Sequence, residues 1–474
     1  MRRGLVHGLC AIASLGLLGG CATLPKDAGL KEVQDHVRER SGLAIDRHTP
    51  DAEERVADRI RSLLSEELSE PTAVEIALLG NRRLQATLEG LGIARAELWQ
   101  AGLPRNPILG GEIRFPGRPF EISLVQEVLD LVWLPKRRRL AAASFEQVKL
   151  SAASEVLDLV AEVRKAYFAA QAASQASEMR RAVADAAQAA AELAIRQHGA
   201  GNISDLQLEN EQALFGQAKL DLARSEEEEL LTRERLNTLL GLWGHTTEWS
   251  IAPRLPELPP EELDLAGLES FAAAQRLDLA AARREVEVAA RALPLSRSSA
   301  FEVEGGVHHE KEPEGTTSTG PAVEVSVPVF DRGGAGRSRA RAVLAQAEER
   351  YAALAVEIRS EVRSARHRML SARSRAAYYR DVVLPRRSRI VGFSQQEYNF
   401  MLIGAFQLLA ARREEIAARG EYIEALRDYW IARSDLEHAA GGRWSASDKS
   451  PASGGPASGA SAGEDHDREE EELR

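Results

Sequence analysis

Few residues of this 474-residue chain are placed to do chemistry. His308-His309-Glu310, with Glu312 and Glu314 just beyond, brings imidazoles and carboxylates together, the donors a divalent cation takes. Adjacent histidines without a defended geometry are more often exposed polar residues, and these sit in an expected loop between strands, so no metal site is assigned. The sequence has no Gly-rich phosphate loop, nucleophile elbow or His-Glu-x-x-His pair. No catalytic residue is assigned, and the chain is not expected to be an enzyme. Asp205 is the remaining candidate. Repeated around a symmetric assembly it would form a ring of carboxylates that attracts cations; as a plain first-turn acid it would only start a helix. Both readings are open on sequence.

The two thiols, Cys10 and Cys21, lie within the first 21 residues, so neither a disulfide frame nor a cysteine zinc site can hold the body together. Met1-Arg2-Arg3 is a positive start, Gly4 to Leu18 is apolar but short, and Leu18-Gly19-Gly20-Cys21 follows. This pattern is a secretory signal, residues 1–20. Its last four residues resemble the bacterial lipoprotein box, which implies cleavage between Gly20 and Cys21 and a covalent lipid on the Cys21 thiol. Ala22 follows where retention at the inner membrane commonly uses Asp, so the expected destination is the outer membrane. No other cofactor is expected.

The elements that must carry any function are helical. Aromatics are only 5% of the chain, and 61 Lys and Arg stand against 72 Asp and Glu for a net charge of −11, which argues against nucleic acid as a partner. Within 131–198 an apolar stripe through Phe145, Val148, Ala152, Val156, Leu159, Val163 and Tyr167 recurs at steps of three and four. Unbroken, that helix would be about 100 Å long. Gly199-Ala200-Gly201-Asn202 interrupts it, and a return helix runs to Gly241. The stripe recurs about 200 residues later through Ala347, Tyr351, Leu354, Ile358, Val362 and Met369, turning again near Met401 to Gly404. Ile203, Gln207, Leu208 and Gly241 match Ile403, Gln407, Leu408 and Gly441 at a shift of 200, the mark of an internal duplication. Pro385 predicts a kink in the second long helix.

Each copy starts with a shorter helix, about 71–101 and 262–293, broken at Leu103-Pro104 and Leu293-Pro294. Period-two segments follow, Glu112 to Phe115 with Phe120 to Leu124, and Phe301 to Glu304 with Val323 to Val327. Each copy thus offers a two-stranded hairpin, about 107–130 and about 299–330. Four strands cannot close, and their edges need other chains. Three chains would supply twelve strands, enough for a membrane barrel.

The chain accordingly divides into a leader, an N-terminal periplasmic extension over 21–70 that runs along the outside of the body, repeats over 71–260 and 261–440, and a disordered acidic tail over 441–474. The fold class is mainly α with a small β part. Ala77-Leu78-Leu79-Gly80-Asn81, Gln100-Ala101-Gly102-Leu103 before Asn106-Pro107, and Val327 to Gly334 carry a resemblance to the TolC-type outer-membrane efflux factor family, in its lipoprotein branch. Trp133 to Arg139 resembles the junction of the heavy-metal-efflux subgroup.

The resemblance implies a homotrimer with a twelve-stranded transmembrane β-barrel over a periplasmic α-barrel. It also implies a periplasmic adaptor and an inner-membrane efflux pump as partners, and passive conduction. The tips, 199–208 and 398–408, would meet the adaptor and form the gate, with Gly199, Gly201, Asp205, Ile403, Gly404 and Phe406 as its candidate residues. Leu402, Ile403, Ala405 and Phe406 stand where family members can carry acids, pointing to an apolar constriction. The competing reading is a lipid-anchored periplasmic coiled-coil scaffold or adaptor without a pore.

Overall fold

The computed structural model describes residues 29–45, 53–113, 115, 119–260, 266–296, 302–312, 315–330 and 332–442. The leader with Gly20 and Cys21, and the tail from 443 onward, lie outside the described residues. Helix α1 (Leu30–Ser41) is followed by α2 (Glu53–Leu64), α3 (Glu70–Gly80), α4 (Arg82–Ala101), strands β1 (Ile108–Ile113) and β2 (Phe120–Glu127), α5 (Val128–Gly199) and α6 (Asp205–Leu240). The second half holds α7 (Leu268–Gln275), α8 (Leu277–Leu295), β3 (Val303–Lys311), β4 (Thr317–Val325), α9 (Gly334–Tyr378), α10 (Leu384–Asn399) and α11 (Ala405–Ala439).

The 72 residues of α5 make a rod about 110 Å long. Alanine dominates its buried face, with Ala152, Ala153, Ala166, Ala170, Ala184, Ala187 and Ala194 all covered, so neighbouring helices approach closely. The main core lies at mid-height, where Phe168 stacks on Trp430 with ring centres 5.2 Å apart and the buried Tyr167 hydroxyl donates to the Leu68 carbonyl at 3.1 Å. Between α9 and α10 the residues Tyr379–Val383 form a π-helical turn immediately before Pro385. The wider turn accommodates the missing proline amide.

Three of the expected boundaries differ in the structure. The helix expected over 71–101 is two helices, because Asn81 is extended (φ −71°, ψ 109°) and its carboxamide oxygen accepts the Leu84 amide at 3.0 Å, starting α4 afresh. The helix expected over 262–293 likewise breaks at the extended Arg276, and its second part continues through Pro294 to Leu295, one residue past the proline. The N-terminal extension lies against the body by one face: Val33 and Val37 of α1 are fully buried and Lys149 of α5 reaches Glu32 at 3.1 Å, while Lys31, Asp35, Arg38 and Glu39 of the same helix are exposed. Gly441 and Gly442, assigned to the tail, belong to the folded body, where each packs against backbone, at Arg276 and at Arg40.

The duplication is visible in how each return helix ends. Gly241 takes φ +73° and abuts Gly80 and Asn81, while Gly441 takes φ +84° and abuts Gln275 and Arg276. Asn81 donates to the carbonyl of Leu239 at 2.8 Å, and Arg276 donates to that of Ala439 at 3.5 Å. In both halves, therefore, the end of the long hairpin locks into the break between the two short helices.

Candidate functional site

Two regions of the body stand exposed in ways that folding alone does not require. The first is the sheet. All four strands form one antiparallel sheet in the order β1-β2-β3-β4, with β1 and β4 at its edges. Its register aligns Leu109, Leu124, Val307 and Pro321 in one row. Because side chains alternate along a strand, the same face carries Ile122 and Val323, and these apolar residues are exposed. The opposite face carries glutamates. Glu112, Glu121 and Glu310 are cross-strand neighbours in one row, and Glu127, Glu304 and Glu324 form another. Like charges directly opposite one another repel, so this face requires water or counterions. The sheet is thus apolar on one side and acidic on the other.

His308, His309 and Glu310 lie in β3, not in a loop between strands, because the pairing of β3 with β2 and β4 extends to Lys311. Alternation sends the two imidazoles to opposite faces: His308 Nδ1 lies 3.2 Å from Glu121 on the acidic face, and His309 Nδ1 lies 2.6 Å from the Thr319 hydroxyl on the other. Among the described residues no group of three or more potential ligands is positioned to hold a metal ion.

The second region is the pair of hairpin tips. In the first, the amides of Gly201 and Asn202 donate to the carbonyls of His198 and Gln197, both at 2.8 Å. In the second, the amides of Met401 and Leu402 donate to Tyr398 and Glu397, both at 2.9 Å. The turns are the same, two hundred residues apart. The turn needs a left-handed residue: Gly201 supplies it at φ +75°, and Met401 supplies it at φ +59° despite its side chain. Gly199 is the last residue of α5, and Gly404 precedes α11, where its amide donates to the side chain of Gln407 at 3.0 Å.

Ser204, not Asp205, caps α6, with its side chain accepting the Gln207 amide. Asp205 is the first helical residue, and its carboxylate lies 2.6 Å from His198 Nε2 while remaining 93% exposed. The tips differ in surface. Phe400, Met401 and Leu402 stand out into solvent at the second tip, with Ile403 and Phe406 half-buried behind them, whereas the first exposes Ala200, Gly201 and Asn202. The sequence stripe did not reveal Phe400 and Met401 as exposed, because apolar residues at a helix end read as core; the duplication could have, since their counterparts are Ala200 and Gly201. The acidic rows of the sheet were also missed, although the period-two spacing of the glutamates carries them.

Residues 120–242, covering β2 and the first hairpin, match the family model described as outer membrane efflux protein. Among solved structures, a membrane protein from Pseudomonas aeruginosa superposes with a TM-score of 0.67 at 20% identity, over 80% of this chain and 91% of that one. CusC gives 0.66 at 18% identity, over 80% and 93%. The Campylobacter jejuni CmeC outer membrane channel gives 0.66 at 15% identity, over 79% and 85%. A search of curated protein sequences finds no match.

Proposed function

We propose, from the premise that this chain carries the outer membrane efflux protein domain on the TolC-type fold, that it is the outer-membrane channel component of a tripartite efflux system. The observation that carries the reading is the sheet: four strands, apolar on one side and acidic on the other, with both edges open. Three copies joined edge to edge close twelve strands, put the apolar face against lipid and the glutamate rows around a water-filled lumen. Among the described residues no helix is long and apolar enough to cross a membrane. The helices then stand in the periplasm, with their tips toward an adaptor and an inner-membrane pump. Conduction is passive, and Phe400, Met401 and Leu402 of three chains narrow the path with apolar side chains.

The purified full chain in planar bilayers tests this. Stepwise conductance is expected, and under a KCl gradient the reversal potential should have the sign of a cation-preferring pore, because the lumen carries carboxylates. Met401→Gly, which relieves the left-handed strain and removes an apolar side chain from each tip, is expected to raise conductance severalfold. No conductance from either protein sinks the channel reading; conductance that prefers anions sinks the placement of the acidic face.

Lipid attachment at Cys21 is a separate proposal, supported by Leu18-Gly19-Gly20-Cys21 behind a short apolar leader. Cys21→Ser should abolish incorporation of radiolabelled palmitate. Labelling that persists in the variant would sink the lipobox and leave the channel intact.

A further inference from the structure

The long helices form a wall whose two outer members carry opposite charge. Helix α5 lies next to α6, with Arg181 and Glu226 paired at 2.7 Å, and next to α11, with Arg164 and Glu437 at 2.8 Å and Lys165 and Asp435 at 3.0 Å. Helix α11 in turn holds α9 and α10, through Asp428 with Arg375 at 3.1 Å and Glu414 with Arg387. The order across the wall is therefore α6, α5, α11, then α9 with α10, and the two ends of that order are edges.

Charge is segregated to those edges. Helix α6 has nine acids and four bases. The stretch from Arg363 to Asn399, on the other edge, has nine arginines and two acids. The inner helices are near balance, with ten bases and eight acids in α5 and five and seven in α11. The edges also match in height. Arg276 touches both Glu361 and Ala439, so the basic stretch begins level with the end of the return helices. Lower down, Arg181 joins Glu226 to α5 close to Met179, and Met179 abuts Gly420, which lies between Glu414 and Asp428. The acidic run Glu226 to Glu229 is thus level with the segment from Arg375 to Arg387.

Both edges are apolar as well as charged. Leu220, Leu230 and Leu231 are more than half exposed on α6, as are Tyr378 and Phe393 on the other side. Glu227 and Glu228, and Arg386 and Arg389, are exposed and have no side-chain partner among the described residues.

We propose that the acidic α6 edge of one copy of this chain docks on the basic α9–α10 edge of the next, and that this charge pairing is what directs the chains into a closed head-to-tail ring. The occupant of each edge is a second copy, because the charge, the height and the apolar stripes of one edge complement those of the other. A two-fold dimer would set like edge against like edge and is repelled. The same ring closes the sheet, since β1 and β4 are its two edge strands and each pairs on one side only. The proposal rests on the trimeric channel reading and adds to it what selects the ring over other assemblies. Complementary fields of this kind act mainly on encounter rate and on choice of partner, and salt screens them beyond about 8 Å at physiological ionic strength.

The test follows trimer formation by the full chain in detergent, by native mass and light scattering, at 50 and 500 mM salt. The parent should assemble at least tenfold more slowly at high salt. Glu227→Lys with Glu228→Lys, or Arg386→Glu with Arg389→Glu, should each slow assembly at low salt by a similar factor, and the four changes together should restore it. Circular dichroism should show unchanged helix content in each variant. A trimer whose formation ignores salt, or a combined variant no better than either half, overturns the edge pairing and leaves the channel reading standing. A parent that stays monomeric overturns both.

Discussion

Valine at position 241 is expected to destabilise the folded chain by about 3 to 5 kcal/mol, from left-handed strain together with overpacking. Gly241 holds φ +73°, and a Cβ built on it would sit 2.3 Å from the carbonyl oxygen of Gly80 and 3.2 Å from the amide nitrogen of Asn81. These are backbone atoms, which cannot swing aside as a side-chain end can. Relief requires α6 to withdraw from the α3–α4 break, which would also stretch the hydrogen bond from Asn81 to Leu239. Gly201 is the internal control. It has nearly the same φ, +75°, but open space around it. Gly201→Val should therefore cost only about 1 to 2 kcal/mol, the backbone share alone, and Met401 at the matching turn shows a side chain accommodated there. Thermal unfolding by circular dichroism compares the two. Equal losses of Tm at the two positions would mean that the close approach to Gly80 contributes nothing.

Much of this architecture was legible in the sequence because it is periodic. The apolar stripe through Val156, Val163 and Tyr167 marks one face of α5, and those residues are buried. The period-two runs at Phe120 to Leu124 and at Val323 to Val327 fall on β2 and on β4 with the residues just after it. The repeat offset of 200 brings Gly201 onto Met401 and Gly241 onto Gly441, pairs with like backbone conformations. What escaped was set by tertiary contact. Arg276 interrupts a helix whose propensity is continuous, because the end of a distant return helix must dock there, whereas Gly80-Asn81 carried a local signal of its own, a glycine before an N-capping asparagine. The reach of β3 through His308 and His309 is decided by partners on both sides, which a lone segment does not display. At the tips, Asp205 was legible as a first-turn acid, but its contact with His198 depends on the turn bringing residues seven apart face to face. Edge charge was present in the composition of each helix all along, and acquires meaning only when α6 and α9–α10 are seen at opposite ends of the wall.

Replacing Arg276 by alanine is expected to cost about 3 to 4 kcal/mol near neutral pH, the scale for breaking a largely buried ion pair by removing one member. Its side chain is 11% exposed and serves three partners at the second break: Asp278 through two hydrogen bonds of 2.9 and 2.7 Å, Glu361 at 2.8 Å, and the Ala439 carbonyl. The loss has a pH signature. Burial pushes the Asp278 carboxyl up, but the hydrogen bonds and charge of Arg276, with the Leu279 amide and the His438 side chain, outweigh it and hold the group below its usual value. A depressed carboxyl contributes stability above its unfolded pKa, about 4, and loses it as pH falls through the lower folded value. Without Arg276 the burial effect prevails and the shift reverses, so a charged Asp278 becomes a cost that protonation removes. Acidification from pH 7 to pH 3 should therefore narrow the gap between the parent and Arg276→Ala, the parent losing more. Urea unfolding at the two pH values measures it. A gap that stays constant would show that Arg276 acts through the Ala439 carbonyl alone, and that neither carboxylate pair, with Asp278 or with Glu361, adds to the lock that fastens the second hairpin to the body.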